Sequence, residues 1–310
     1  MKRTKLKKIR VGVLAGGDSS ERSISLRSGK AVREALLGAG ISVIPVDPSK
    51  PRQIKVALSQ IDLAFLALHG KGGEDGTIQE RLERAGVPYV GSDARGSRLA
   101  FEKVRAKKIF DRQGIPTPPW MTFDRRNWRI LRDFPTPFFV KPPADGSSIG
   151  VFLVEDFDRS VEKIMQALKK YPVLLAERGI MGREFTVGIL GNRALPVVEL
   201  RPRRRFYDFR AKYTSGMTEC LVPAPIPTAW RRRFQDVGLQ VHQALGLRDF
   251  SRVDMMADAE GCPFVLEANT IPGFTALSLL PKAAREAGIS FEALCLKLIA
   301  MAWQRRNGKK

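Results

Sequence analysis

The N-terminal part of the chain alternates apolar, strand-like segments with amphipathic, helix-like segments. Strands joined by helices predict a parallel sheet with helices packed on it. Such sheets bind ligands at the carboxyl ends of their strands, which here are the glycine-rich segments AGGDSSER and LHGKGGEDG. The strand-like segments are IRVGVLAGG, ISVIPVDP and DLAFLALHG, and the clearest helix-like segments are SISLRSGKAVREALLGAG and GTIQERLERAG.

A proline-rich segment, IPTPPW, marks the end of this region and predicts a domain junction. We predict an N-terminal parallel α/β domain over 1–98, a central domain over 99–182 and a C-terminal domain over 183–310. The third domain contains RPRRRFYDFRAKYTSGMTE, a polar stretch too long for a simple turn. Loops of this length in compact domains are usually lids or disordered segments.

Composition favours a globular cytosolic protein. With 310 residues, 44% of them hydrophobic, the chain can bury a large core and is expected to form two or three domains. Its three cysteines form no CxxC pair, which argues against a disulfide scaffold or a zinc site and favours a reducing cytosol. No apolar run approaches the ~20 residues of a membrane span. The apolar stretch after the basic N-terminus is too short for a signal peptide.

The net charge of +21 raises the possibility of a nucleic-acid partner. However, six Lys/Arg lie in the first ten residues and four in the last seven, QRRNGKK, so much of the excess belongs to the tails. No zinc-finger spacing, RNP-type motif or basic-region heptad is present. We therefore expect no nucleic-acid partner, and the basic surface is more compatible with a polyanionic small substrate.

A possible metal site lies near the C-terminus, where the strand-like segment FVLEANTIPG follows RVDMM. Residues i and i+2 of a strand share a face, so Glu267 and Asn269 should converge on one point. Asp254 in the preceding segment would supply a third oxygen donor. Such a set could hold a hard cation such as Mg²⁺, or could simply consist of solvated or turn-capping strand-end residues.

The segment VKPPADGSSIGV places Lys141 before a Gly-Ser-Ser-x-Gly loop. Small residues let backbone N–H groups approach phosphate oxygens, and the lysine adds positive charge. The motif is not a Walker A sequence, and a plain hairpin loop is the alternative. Glu177 in LLAERGI could border an adenine and Glu184 in GREF a ribose, although either could be an ordinary surface acid.

Taken in order, these segments resemble the ATP-grasp superfamily and, within it, the D-alanine–D-alanine ligase family. The resemblance runs from about residue 9 to residue 303. The motifs that carry it are GGDSSERSISLRSGKAV, LHGKGGEDGTIQ, EKVRAKKIF, VKPPADGSSIGV, GREFTVGILG, FYDFRAKY, RVDMM and LEANTIPGFTALSLLP.

The resemblance implies an ATP-grasp fold: a Rossmann-like parallel domain followed by two α+β domains that sandwich ATP. It also implies a reaction for peptidoglycan precursor synthesis, in which ATP phosphorylates one D-alanine and the amine of a second displaces the phosphate. Two Mg²⁺ or Mn²⁺ ions, a cytoplasmic location and a homodimer are expected on the same grounds.

By resemblance, Asp254, Glu267 and Asn269 hold the two metal ions. Residues expected to contact the phosphates of ATP are Lys103, Lys141 and Lys212. Residues expected around adenine and ribose are Glu177, Arg178, Ile180 and Glu184, with Phe206, Met256 and Leu266 as apolar walls.

On the substrate side, the resemblance places Glu21 at the ammonium of the first D-alanine, linked through Ser147 to Tyr213, with His69 beside it. Arg252 and the Gly273 N–H would stabilise the oxyanion. Ser278 and the Leu279 N–H would bind the carboxylate of the second D-alanine.

Three departures from the family pattern, in the glycine loop, the lid and the segment before Ser278, leave the fine substrate preference open but not the reaction class. Asp145 stands where many relatives have Glu, FRAKY replaces the more usual YEAKY, and Leu277 replaces a polar residue beside Ser278. Retention of Tyr213 favours an amine acceptor. The alternative function is an ATP-grasp ligase that uses another D-amino acid or a D-hydroxy acid as acceptor.

Overall fold

The computed structural model describes residues 8–146, 149–203, 214 and 216–307. Its N-terminal sheet is parallel, with the strand order β2-β1-β3, as the alternating sequence pattern predicted. Tyr89, in the segment VPYVG, adds only an isolated parallel bridge to Ala64. The elements are β1 (Arg10–Leu14), α1 (Arg22–Gly38), β2 (Ser42–Val46), α2 (Pro51–Gln60), β3 (Leu63–Leu66) and α3 (Thr77–Arg84).

The central sheet is antiparallel, with the order β4-β7-β5-β6. Helix α6 packs on one face of this sheet through Ile164 and Leu168, which lie four residues apart and are both buried. The Asp156 side chain caps the first turn of the helix. The elements are α4 (Ala94–Phe101), α5 (Lys103–Gln113), β4 (Trp120–Asp124), a 3-10 helix (Trp128–Asp133), β5 (Phe138–Lys141), β6 (Phe152–Val154), α6 (Phe157–Lys170) and β7 (Val173–Arg178).

The C-terminal sheet has the order β11-β10-β8-β12-β13, with β9 paired to β8. The predicted lid joins β10 to β11, and most of it lies outside the described residues. The elements are β8 (Arg183–Leu190), β9 (Arg193–Ala194), β10 (Val198–Pro202), β11 (Thr218–Leu221), α7 (Thr228–Ala244), β12 (Phe250–Ala257), β13 (Pro263–Asn269), α8 (Leu279–Glu286) and α9 (Phe291–Asn307).

Helix α9 returns to the N-terminal sheet and packs on α1. Leu294, Leu298 and Ala302 recur every four residues and share one buried apolar cluster with Val32 and Leu36. The first and last parts of the chain are therefore joined by a common core, which also contains Leu190 of β8 and Phe250 of β12 from the C-terminal sheet. Along the described part of the chain, no helix has both the length and the apolarity to cross a bilayer.

Candidate functional site

Two cavities meet between the three sheets. The first, of about 830 Å³, lies between the central and C-terminal sheets. The second, of about 720 Å³, lies between the N-terminal and C-terminal regions. Lys103, Asp145 and Glu267 line both. The two cavities are therefore adjacent at these three residues.

The predicted metal ligands lie on neighbouring strands at this junction. Asp254 of β12 stands directly opposite Glu267 of β13, and Arg252 stands opposite Asn269. The pairing shifts after Asp254, so that Leu266 is an extra, bulged residue. A bulge changes the side-chain alternation of a strand, which explains how Leu266 and Glu267 both line the first cavity.

Asp254 is buried and receives hydrogen bonds on both carboxylate oxygens. Thr186 Oγ1 donates to Oδ1 at 2.6 Å, and Asn269 Nδ2 donates to Oδ2 at 3.0 Å. Arg252, which the sequence placed at the oxyanion, binds both oxygens, at 2.8 and 2.7 Å. Arg252 also lines the second cavity, so it borders both the Asp254 carboxylate and that cavity.

The residues present fit Mg²⁺. In the described ranges no cluster of three or more His, Cys, Asp or Glu side chains forms a metal cage of protein ligands alone. Mg²⁺ is usually held by one or two carboxylates together with substrate phosphates, and Asp254 and Glu267 supply such a pair. Two carboxylates placed directly opposite each other also repel, which a bound cation relieves.

Lys103 contacts two different segments at the junction of the two cavities. It begins α5, and its Nζ lies 3.3 Å from Glu267 Oε2 and donates to the Asp145 carbonyl at 2.8 Å. Its own N–H donates to the Pro143 carbonyl at 2.9 Å. Lys103 thus contacts both the segment before the glycine-serine loop, through Pro143 and Asp145, and the predicted metal ligand Glu267.

Lys141 lies at the end of β5, the strand end expected from the sequence, and it lines the first cavity. Its Nζ contacts Glu177 of β7, which also contacts Lys107. Burial would raise the pKa of Glu177, but the charges of Lys107 and Lys141 outweigh it and hold that pKa below its usual value. Lys107, four residues after Lys103 on α5, was not predicted from the sequence.

The remaining predicted nucleotide residues that the structure describes surround the first cavity. Met256 of β12 and Leu266 of β13 form part of the apolar wall of this cavity. Glu184 of β8 also lines the cavity and lies opposite Met256 in the sheet. Arg178 and Ile180 lie at the end of β7, where the Arg178 N–H donates to the Pro119 carbonyl at 2.8 Å. Phe206, Lys212, Tyr213 and Ser147 lie outside the described residues.

Glu21 is buried at the start of α1 and lines the second cavity. Two glycines approach its carboxylate so closely that a Cβ at Gly70 or Gly146 would lie 2.6 or 2.9 Å from Oε2. Glu74, which the sequence analysis missed, faces the same space and accepts the Gly70 N–H at 2.8 Å. Burial, with the nearby charge of Glu21, raises the pKa of Glu74 to about 8.

His69 is buried beside Glu21, and it connects three parts of the chain. Its Nδ1 lies 3.0 Å from the Ile271 carbonyl and its Nε2 lies 3.0 Å from Ser28 Oγ. Burial lowers the pKa of His69 to about 4, so the ring is neutral. Because a carbonyl can only accept, Nδ1 carries the proton and Nε2 accepts from Ser28, which itself accepts the Phe274 N–H at 3.2 Å.

The segment after β13 brings Gly273 to the start of α8. A Cβ on Gly273 would lie 3.3 Å from Ser278 Oγ. Ser278 makes no side-chain cap to its own helix, and its Oγ bonds instead with the Thr275 side chain at 3.0 Å. Ser278 and Leu279 both line the second cavity, and the Ser278 N–H donates to the Thr275 carbonyl at 2.9 Å. The first N–H groups of a helix have no partner inside it, so the donor that this helix start can offer a ligand is the Leu279 N–H.

The chain matches two family models. The model described as D-ala D-ala ligase C-terminus matches residues 109–300, and the model described as D-ala D-ala ligase N-terminus matches residues 47–92. The chain belongs to the D-alanine–D-alanine ligase family. It is 41% identical to the D-alanine–D-alanine ligase of Pelotomaculum thermopropionicum, covering 96% of this chain and 97% of that protein. Identity to the same ligase of Geobacter sulfurreducens is 40%, over 100% and 99% of the two chains.

Solved structures of the family share the fold. The D-alanine–D-alanine ligase of Bacillus anthracis complexed with ATP superposes with a TM-score of 0.86 and 32% identity, covering 97% of this chain and 100% of that chain. The VanG D-Ala:D-Ser ligase of Enterococcus faecalis gives a TM-score of 0.83 and 30% identity, covering 95% and 99%. The predictions of an ATP-grasp fold and of this ligase family are therefore confirmed.

Proposed function

We propose that the protein joins two D-alanine molecules to D-alanyl-D-alanine for peptidoglycan precursor synthesis, converting ATP to ADP and phosphate. The observation that carries the proposal is the junction of the two cavities, which Lys103, Asp145 and Glu267 share. A phosphoryl group transferred from ATP to a carboxylate has to cross such a junction. Family membership over nearly the whole chain supports the same reaction.

The first cavity is the proposed ATP site. Met256 and Leu266 would contact the faces of the adenine ring. The edge of the adenine and the ribose would be surrounded by Glu177, Arg178, Ile180 and Glu184. The phosphates would be contacted by Lys103, Lys141 and Lys212, and Phe206 would add a third apolar wall beside the adenine. Asp254, Glu267 and Asn269 would hold two Mg²⁺ or Mn²⁺ ions, which when bound neutralise phosphate charge.

The second cavity is the proposed site of both amino acids. Glu21 would bind the ammonium of the first D-alanine, with Ser147 and Tyr213 continuing its hydrogen bonds and His69 holding the neighbouring backbone. A carboxylate oxygen of this D-alanine attacks the γ-phosphorus, the bond to the β-phosphate breaks, and ADP leaves. The product is D-alanyl phosphate.

The second D-alanine would bind through its carboxylate at Ser278 and the Leu279 N–H, where the helix N-terminus favours an anion. Its amine attacks the carbonyl carbon of D-alanyl phosphate, and phosphate leaves from the tetrahedral intermediate as the amine loses a proton. Arg252 and the Gly273 N–H would stabilise the oxyanion. Such stabilisation by fixed donors is usually a large part of catalysis.

We further propose a cytoplasmic location, a homodimer, and three domains over 1–98, 99–182 and 183–310. These follow from the family resemblance and from the sequence composition. The alternative function is ligation of a different D-amino acid or D-hydroxy acid as acceptor. Leu277, which is exposed beside Ser278 and lines the second cavity, is the observation that favours considering it.

An acceptor panel tests the proposal. Phosphate release from ATP would be measured with D-alanine alone, and with D-alanine plus D-serine, D-lactate or L-alanine, and each product identified by mass spectrometry. We expect D-alanyl-D-alanine as the main product and no turnover with L-alanine alone. A mixed product made faster than D-alanyl-D-alanine would support the alternative acceptor, and no turnover with any acceptor would contradict both.

A further inference from the structure

Lys107 is a lysine in the interior of the protein. Its side chain is only 1% exposed, and its Nζ contacts the Glu177 carboxylate and donates to Thr117 Oγ1 at 2.6 Å. Lysine is almost never fully buried unless it is paired. Burial lowers the pKa of Lys107, and the charge of Glu177 opposes that change. An ammonium in such a place costs folding free energy, so its role calls for an explanation.

Two lysines share Glu177, and their surroundings differ. Lys141 is 13% exposed and lines the first cavity, whereas Lys107 is not among the residues that line it. Lys107 is also attached to β13 through Thr117. The Lys107 ammonium donates to Thr117 Oγ1, and Thr117 Oγ1 donates to the Val265 carbonyl at 2.8 Å. Lys141 is therefore free to turn towards a ligand, while Lys107 is not.

The geometry points to Lys107 as a positioning residue: it is the permanent counterion of Glu177 and allows Lys141 to exchange that carboxylate for a phosphate oxygen of the nucleotide. The inference rests on the proposed function, since it needs ATP in the first cavity. Removing one partner from a buried ion pair is costly because it leaves a charge uncompensated. With Lys107 in place, Glu177 stays paired when Lys141 leaves, so nucleotide binding avoids this cost.

The attachment through Thr117 gives Lys107 a second effect. Val265 lies two residues before Glu267 on β13, so Lys107 connects the buried acid of the central sheet to the strand that carries a predicted metal ligand. One buried side chain thus holds Glu177 of the central sheet close to the strand that carries Glu267.

The test compares Lys107→Met with Lys108→Met, which changes the next, exposed lysine of the same helix. Dissociation constants for ADP with Mg²⁺ and for adenosine would be measured by competition against a fluorescent nucleotide. We expect Lys107→Met to weaken ADP at least about tenfold and adenosine less than about twofold, because only phosphate binding requires Lys141 to leave Glu177. Lys108→Met should match the wild type for both ligands.

Equal weakening of ADP and adenosine by Lys107→Met would mean that Lys107 only shapes the adenine site, and would overturn the inference. Unchanged ADP binding would overturn it as well. If the wild type bound neither ligand, the proposed function itself would fail, and the inference with it. The double variant Lys107→Met/Glu177→Gln removes both buried charges and should bind ADP more tightly than Lys107→Met alone.

A crystal structure of the wild type with ADP and Mg²⁺ decides the question even if Lys107→Met does not fold. We expect Lys141 Nζ on a phosphate oxygen and more than about 4 Å from the Glu177 carboxylate, beyond ion-pair distance, with the contact between Lys107 and Glu177 retained. Lys141 still paired with Glu177, or Lys107 separated from it, would refute the exchange.

Discussion

Asp254 and Glu267 face each other across the antiparallel strands β12 and β13. Like charges directly opposite each other destabilise a sheet. Here each carboxylate has its own cation, since Arg252 binds Asp254 at 2.7 Å and Lys103 lies 3.3 Å from Glu267. The four side chains form a cluster of two acids and two cations at the junction of the two cavities.

Changing Glu267 to Gln should abolish turnover and leave the fold intact. The amide keeps the size of the side chain but removes the charge that we propose holds both metal ions. Loss of such electrostatic stabilisation should reduce phosphate release at least about a hundredfold. Glu260→Gln, on the exposed turn between the same two strands, is the matched control. Turnover of Glu267→Gln within a few-fold of the wild type would rule out the metal assignment.

Changing Gly146 to Ala should weaken binding of the first D-alanine. The new methyl group would lie 2.9 Å from Glu21 Oε2, so the carboxylate has to move away from the ammonium site. Displacement by about an ångström is expected to cost ten- to a hundredfold in kcat/KM for D-alanine. The KM for ATP should change less than about twofold.

Gly38→Ala is the control for this experiment, because a methyl group there meets nothing within 4 Å. It lies at the end of α1 and should stabilise the protein by roughly 0.5–1 kcal/mol without changing kinetics. Equal kinetic effects of the two alanine variants would show that Gly146 does not position Glu21.

Changing His242 to Gln should reduce the loss of stability in acid. Burial lowers the pKa of His242 to about 4, while histidine in an unfolded chain titrates near 6.5. The unfolded state therefore binds a proton that the folded state does not, and stability falls as the pH drops from about 6.5 to about 4. Above that range this histidine contributes no pH dependence.

The measurement for His242 is the thermal midpoint of wild type and variant at several pH values. Between pH 6 and 4.5 the wild type should lose up to about 1.4 kcal/mol per pH unit more than His242→Gln. The comparison cancels the titration of His69 and Glu74, which both proteins retain. Parallel curves for the two proteins would contradict the assignment of a neutral, buried His242.

Changing Arg305 to Met should destabilise the contact between the N-terminal sheet and α9. Arg305 binds both oxygens of Asp249, at 2.5 and 3.0 Å, and donates to the Tyr89 carbonyl at 2.8 Å. Asp249 is buried and also accepts the Gly91 N–H at 2.8 Å. Removing one partner of a buried pair costs about 3–5 kcal/mol, which should lower the thermal midpoint by several degrees.

Arg306→Met provides the comparison for Arg305, because Arg306 is exposed and lies 4.9 Å over the Trp303 ring. Its loss should shift the midpoint by only a degree or two, as expected for an exposed cation–π contact. If Arg305→Met were no more destabilising than Arg306→Met, the pair with Asp249 would contribute little to joining the two regions.

Local patterns predicted part of the arrangement along β12 and β13. The period of two along β13 places Glu267 and Asn269 on one face, and their convergence with Asp254 follows from pairing two adjacent strands. The bulge at Leu266 could not be predicted from the sequence, because it depends on the register that β13 adopts against β12. Glu74 lies in the glycine-rich segment LHGKGGEDG. The sequence predicts a ligand site at this segment, but it does not indicate which of its acids faces the site.

The sequence alone determined the parallel N-terminal domain and the family, because hydrophobic periodicity, turn residues and motif order are local or linear properties of the chain. Only the tertiary structure decided which of the three lysines on α5 is buried. Lys103 and Lys107 share a helix face, and they differ because Glu177 and Thr117 arrive from other elements beside Lys107. The state of His69 was decided in the same way, by Ser28 and Ile271 from distant parts of the chain. Burial and charge pairing depend on neighbours in space, which a linear pattern does not record.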